Sequence, residues 1–285
     1  FESELMETYG DKDSPVLRVV RTALGGGAAA AAGMIDSIAA SNGGQDAIGE
    51  YVINGLGYRL MARGSIEEAV TLFRLNTRLY PESFNVYDSL GEAYMNMGER
   101  RLALENYEKS VSIREDSWSG LRALRRLRFV PEDLAVPPLV ETPVFRLEML
   151  SGDMAASEYE AVMASAEDLR ELFESSFWPR EGLTLEEETG IVRRYEMESR
   201  NRYSFTFAVM SPGGEEYLGS VHINPSFSNE YDAEVLFWVR SSEKDSGLEV
   251  ALEKFLREWV REEWPFERVA WPGRDISWSE WRRGG

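Results

Sequence analysis

The chain has 285 residues, with 50 Asp and Glu against 31 Lys and Arg, for a formal net charge of −19. That length fits two domains, and a hydrophobic content of 43%, with 12% aromatic residues, excludes global disorder. Without cysteine there are no disulfides, thiolate metal sites or cysteine nucleophiles; a single histidine, His222, excludes a multi-histidine metal centre.

The acidic excess repels nucleic-acid backbones and anionic membranes, so neither is expected as a main partner. No run of about 18 apolar residues is present, so no membrane span is expected. Arg18 to Ala40, with Gly25, Gly26 and Gly27 before an alanine run, is too weakly hydrophobic for a secretory signal and reads as a small-residue helix. The chain opens at Phe1, so it is read as a processed or truncated piece of something longer. Its compartment stays open, with the cytoplasm favoured.

Helices are expected near 15–24, 28–40 and 44–52. Matched residues then recur 34 apart: Leu56/Leu90, Gly57/Gly91, Gly64/Gly98, Ala69/Ala103 and Phe73/Tyr107. Each unit reads as two amphipathic helices around a turn glycine, and Pro81 closes the first. Trp118 to Phe129, carrying Arg122, Arg125, Arg126 and Arg128, is expected to close the far end. Val130 to Pro143 holds Pro131, Pro137, Pro138 and Pro143 and reads as an extended linker. Most of the net negative charge follows it.

The second half changes period. Phe145–Leu150 alternates as a strand, and Ser157–Glu174 and Thr184–Asn201 read as helices. Tyr203–Met210, Tyr217–Ile223 and Asp232–Arg240 read as strands, Leu248–Trp264 as an amphipathic helix and Arg268–Trp271 as a last strand. The order β-α-α-β-β-β-α-β is α+β with a mixed sheet. The expected organisation is a helical domain over 1–129, with repeats at 53–86 and 87–120, then the linker at 130–143 and an α+β domain over 144–285.

The 34-residue pattern resembles a tetratricopeptide repeat pair, most closely over 53–116, and the run Leu79-Tyr80-Pro81-Glu82-Ser83 is similar to repeat modules of bacterial serine hydrolases. The resemblance implies a protein or peptide partner held in a concave groove by Asn54, Tyr58, Asn85, Asp88 and Glu92, with Met95 nearby. About three units or caps are generally needed for stability.

The second half resembles the GNAT N-acetyltransferase superfamily over about 144–275. The resemblance is carried by Trp178-Pro179, Leu183-Thr184-Leu185-Glu186-Glu187, Ser204-Phe205-Thr206-Phe207, Gly219-Ser220-Val221-His222-Ile223-Asn224-Pro225, Tyr231-Asp232-Ala233-Glu234-Val235 and Trp264-Pro265-Phe266. It implies acetyl-CoA as cofactor, held by its pyrophosphate at a strand-to-helix turn. Val239, Arg240, Lys244 and Gly247 stand there, but Glu243, Asp245 and Glu249 oppose an anion. Only 14 residues follow Trp271, and the superfamily's tyrosine acid is not evident among them. The general base then falls to Glu234 or His222.

Trp178, Trp238, Trp259, Trp264, Trp271, Trp278 and Trp281 invite a small-molecule or cation pocket, but read rather as core and as a tail folded back on the sheet edge. Glu171, Glu174, Glu186, Glu187 and Glu188 read as a solvated face rather than a calcium site, and no metal is expected. No Walker, dinucleotide or hydrolase-elbow motif occurs.

Three functions compete at this stage. One is an acyltransferase, active or degenerate, acting on an amine and guided by a repeat adaptor. Another is a non-catalytic interaction protein or scaffold, whose repeat groove binds a peptide and whose second domain is structural or ligand-sensing. In the third, the chain is the C-terminal part of a larger enzyme.

Overall fold

The computed structural model describes residues 14–41, 48–175 and 178–284. The chain divides into two compact units, Phe1–Leu124 and Arg125–Gly285.

The described part of the first unit is all helical. Helix α1 (Pro15–Gly26) starts with proline where its missing N–H costs nothing, and Ser14 Oγ accepts from the Leu17 N–H at 3.1 Å. Helix α2 (Ala28–Ser41) follows; of the helix expected near 44–52, residues 44–47 lie outside the described residues. Then come two helical hairpins, α3 (Glu50–Ala62) with α4 (Ile66–Leu79), and α5 (Phe84–Asn96) with α6 (Arg100–Ile113), and next α7 (Trp118–Leu127). The hairpins start at Glu50 and Phe84, 34 residues apart.

The small residues of the repeat lie where helices touch. A Cβ on Gly57 would sit 2.3 Å from Phe73 Cε1, and one on Gly91 would meet the Tyr107 ring at 3.0 Å. Ala69 and Ala103 are fully buried. Gly57→Ala is therefore expected to cost about 1–3 kcal/mol by overpacking, and Gly91→Ala less, because its contact is looser. Thermal melts of both variants check the order; Gly57→Ala melting with the parent would remove the close-approach argument.

The second unit is a mixed six-stranded sheet with helices, in strand order β1 to β6: β1 (Leu139–Glu141), β2 (Arg146–Met149), β3 (Phe205–Met210), β4 (Tyr217–Pro225), β5 (Ala233–Val239) and β6 (Val269–Ala270). All neighbours are antiparallel except β5 and β6. Helices α8 (Ala155–Ala164), α9 (Ala166–Leu172) and α10 (Leu185–Arg200) lie between β2 and β3 in the chain, α11 (Leu248–Glu263) between β5 and β6, and α12 (Trp278–Gly284) last. Strand alternation sends Phe205, Phe207, Val221, Val235 and Phe237 to the core with Leu252, Leu256 and Trp259 of α11. It sends Ala208 and Trp238 to the opposite core with Val162 and Val192. Helix α10 opens with a capping box, Thr184 and Glu187 satisfying each other's backbone N–H groups.

Three expectations need correcting. The stretch read as a linker contributes β1, which pairs with β2 from Leu139↔Glu148 to Glu141↔Arg146, while Val130 is buried in the second unit's core. Proline lacks only the donor, and the Pro138 carbonyl still accepts from the Met149 N–H at 2.8 Å. The single helix expected over 157–174 breaks at Ser165, whose hydroxyl accepts from the Ser241 N–H. Glu188, assigned above to a solvated face, is 1% exposed.

Candidate functional site

The sheet face under α8 and α10 gathers the candidate bases. Thr206, His222 and Leu236 are in register across β3, β4 and β5, as are Asn224 and Glu234 across β4 and β5. His222 and Glu234 thus share a face of adjacent strands. His222 Nδ1 lies 3.2 Å from Thr206 Oγ1, and its ring packs 5.1 Å from that of Tyr195. Burial, reinforced by the Arg194 charge, pushes His222 down to about 4, so the ring is neutral near pH 7. Glu234 accepts from Asn224 Nδ2 at 3.2 Å. Burial raises it, against the hydrogen bonds from Asn224 and Trp281. A neutral imidazole and a carboxylate of raised affinity for protons both suit a base, and both groups already have partners.

The turn joining β5 to α11 holds the residues expected to grip a pyrophosphate. Val239 ends β5, opposite Gly219. The Arg240 N–H donates to the Leu218 carbonyl at 2.7 Å, and its guanidinium reaches the Tyr217 carbonyl at 3.5 Å. Lys244 is held by Asp168 at 2.5 Å, and Ser241 Oγ donates to the same carboxylate. These bonds hold Asp168 below the usual carboxylate range. Gly247 caps α11 with φ 82°.

Five of the turn's backbone donors are already bonded. The N–H groups of Glu243, Lys244 and Ser246 go to carbonyls inside the turn. Those of Ser241 and Leu248 go to serine hydroxyls. A phosphate needs such donors converging and unpaired, and here the nearest lysine is neutralised by Asp168.

Beside the turn, β5 and β6 pair only at Ala233↔Val269 and Glu234↔Ala270 and then part. Ligands of open sheets enter crevices of this kind, at the carboxyl ends of strands. This one is lined by Leu172, Phe173, Val235, Leu236, Phe237, Pro272, Arg274 and Trp278, and its volume is only about 10 Å³. Trp278 donates its indole N–H to the Leu172 carbonyl at 2.8 Å. Arg274 lies 4.4 Å above the Phe237 ring and pairs with Glu249. Arg282 reaches the carbonyls of Phe173 and Glu174 at 2.9 and 3.0 Å. A cofactor-sized ligand needs about 300 Å³ or more. The residues of the turn and the crevice therefore do not fit acetyl-CoA as they stand here.

In the first unit, the groove candidates lie on α3 (Asn54, Tyr58) and α5 (Asn85, Asp88, Glu92). Tyr58 and Glu92 occupy equivalent repeat positions and are bonded at 2.7 Å, with Ser89 Oγ 3.3 Å from the same hydroxyl. Burial is the main force raising the Tyr58 hydroxyl. Asn85 donates to Glu50 at 2.8 Å. Burial also raises Asp88, against its bonds from Ser119 and Ser110. The Asn54 side-chain oxygen is buried without a partner. Tyr51, on α3, is 81% exposed.

Sequence reasoning missed Asp168, Asn224 and Tyr195, and above all Glu158 and Glu188. The last two had a signal: Glu158 stands three and four residues before Ala161 and Val162, and Glu188 four before Val192, so each lies on its helix's apolar stripe.

Among the described residues, no cluster of three or more His, Cys, Asp or Glu is placed to hold a metal ion, and no helix is long and apolar enough to cross a membrane. No family model and no curated protein matches the chain. Solved structures give partial likenesses. RimL, a ribosomal-protein alpha-N-acetyltransferase, shares 16% identity over 46% of this chain and 70% of its own, with a TM-score of 0.35. MccE, the microcin C7 self-immunity acetyltransferase in complex with acetyl-CoA and AMP, shares 14% over 44% and 68%, also with a TM-score of 0.35. MamA shares 20% over 44% and 68%, with a TM-score of 0.30. At these scores the likenesses carry no functional argument, which rests on the residues themselves.

Proposed function

We propose that the chain is a non-catalytic interaction protein. In this reading the helical unit is a tetratricopeptide-type adaptor whose α3–α5 face takes a peptide, and the second unit is a GNAT-like domain that does not use acyl-CoA. The observation that carries it is the filled crevice between β5 and β6. Trp278, Arg274 and Pro272 line it and leave a volume of only about 10 Å³, and five backbone donors of the adjoining turn and its lysine are already engaged. On the helix that carries Asn54 and Tyr58, the exposed Tyr51 offers a peptide an aromatic anchor.

Isothermal titration with acetyl-CoA at low salt tests this directly. No heat is expected at millimolar ligand, for the parent and for Lys244→Glu alike. Micromolar binding that Lys244→Glu weakens would overturn the proposal. It would restore a second reading, an acyltransferase acting on an amine, which the neutral His222 and the raised Glu234 favour as bases.

A further inference from the structure

The slot that Trp278 fills is built mostly from parts of the second unit outside its own helix. The indole N–H donates to the Leu172 carbonyl at 2.8 Å, and Phe173 meets the ring edge-on, 5.7 Å between centroids. A Cβ on Gly273, where φ is 76°, would stand 2.7 Å from the indole nitrogen, so the backbone there lies against the ring. Arg282 lies 5.6 Å over it. Val235 and Phe237, 1% and 3% exposed, line the remaining space of about 10 Å³. Apolar walls, one carbonyl and one cation are what a planar aromatic ring with an N–H donor needs.

Wall and occupant are held differently. The loop carrying Gly273 is tied to α11: Arg257 donates to Asp275 at 2.8 and 2.9 Å, and Arg274 pairs with Glu249. Within the loop the Gly273 N–H donates to the Ile276 carbonyl at 2.8 Å. Helix α12 starts only beyond it, with the Ser277 hydroxyl accepting from the Glu280 N–H at 3.3 Å. Besides the indole, α12 is tied down by Trp281 against Tyr231, 5.7 Å between centroids, and by Arg282 on the Phe173 and Glu174 carbonyls.

Those ties are light. Trp278 and Trp281 are half-buried, and Ser279, Glu280, Arg282 and Arg283 are exposed. The carbonyls that α12 caps lie at the C-terminal end of α9, where water serves as well once it leaves. A short terminal helix held in this way belongs to the low end of local stability, whereas α11 buries Leu252, Leu256 and Val260.

We infer that the slot is a binding site for a small planar aromatic molecule with a ring N–H, an indole in the simplest case, and that α12 is a strap keeping it filled from within the chain. Local opening of α12 withdraws Trp278, while Gly273, Phe173 and β5 stay and leave a preformed slot beside Glu234. The inference goes beyond the interaction reading, giving the second unit a ligand of its own, and its test uses no acyl-CoA.

The test takes the full chain as parent and as Trp278→Ala, with indole and with benzothiophene, a ring system of similar shape without the N–H. Indole is expected to bind Trp278→Ala and raise its melting temperature. It should bind at least about tenfold more tightly than benzothiophene, which leaves the Leu172 carbonyl unpaired. In the parent, α12 amides should exchange faster than those of α11. Indole at about ten times the Kd measured on Trp278→Ala should speed α12 exchange about tenfold by capturing the open form, with α11 unchanged. No binding to Trp278→Ala, or equal binding of the two rings, overturns the site. Exchange of α12 in the parent that indole leaves unchanged overturns the strap. If Trp278→Ala does not fold, the parent decides: α12 exchange that indole speeds and benzothiophene at equal concentration does not supports the proposal, and any other pattern overturns it.

Discussion

An alanine at position 219 is expected to cost the second unit about 3 kcal/mol, the upper end of overpacking costs and a sizeable part of the roughly 5–15 kcal/mol that holds a typical domain together. A Cβ there would lie 2.0 Å from the Trp238 carbonyl oxygen and 2.9 Å from Val239 Cα. Both atoms are β5 backbone, and Gly219 pairs with Val239 in the β4–β5 ladder, so no side chain can rotate to make room. The strands would have to separate, and the nearby Arg240 N–H bond to the Leu218 carbonyl, 2.7 Å long, would go with them. Trp238, 1% exposed, would lose its packing in the same movement.

Gly190 on α10 is the control. A Cβ there meets nothing within 4 Å, so Gly190→Ala should stabilise by about 0.5–1 kcal/mol through helix propensity. Urea midpoints of the two variants against the parent decide the question. A Gly219→Ala loss below about 1 kcal/mol would mean that the strands yield more easily than their register implies.

Gly219 also illustrates what a sequence displays and what it hides. The order of the second unit's main elements could be read because their periods differ: Val235, Phe237 and Val239 alternate, while Leu248, Leu252, Leu256 and Val260 recur at helical spacing. The 34-residue hairpin repeat could be read because Gly57 and Gly91 mark close approaches. Strand β1 was hidden because prolines 137, 138 and 143 flank it, and composition does not tell a flank from a break.

The candidate site was harder, because its character is set by partners distant in the chain. Lys244 looks like a phosphate ligand until Asp168, from α9, takes its charge. The turn looks open until Ser165 accepts from Ser241. The crevice exists in the β5–β6 pairing, but Trp278 fills it from beyond β6. Glu188 sits among acidic neighbours that do face solvent, and only its apolar partner Val192 sets it apart.

Acidification gives the other large effect, and it is masked in the parent chain. His222 is held near 4 against an ordinary value of 6.5. An unfolded chain therefore binds this proton first as pH falls. The stability that neutral His222 supports is present above about 6.5 and is lost between about 6.5 and 4. A shift of that size corresponds to a few-hundredfold change in the folded-to-unfolded ratio. Glu158 runs the other way: between about 4.5 and 8 the folded chain binds its proton more tightly than the unfolded one. From about pH 5 to 6.5 the two slopes oppose each other, so each masks the other in the parent. Glu158→Gln removes one of them, so on acidification through that range its stability should fall relative to the parent's. His222→Gln removes the other, and its stability should instead rise on acidification. Below about 4.5 the exposed carboxylates held low by their partners, Glu187 at about 2 among them, take over in every form. Urea titrations of the three proteins at pH 5, 5.75 and 6.5, about the middle of that window, read both slopes. If His222→Gln tracks the parent there, His222 is protonated in the fold, and the neutral ring assigned to the covered sheet face is wrong.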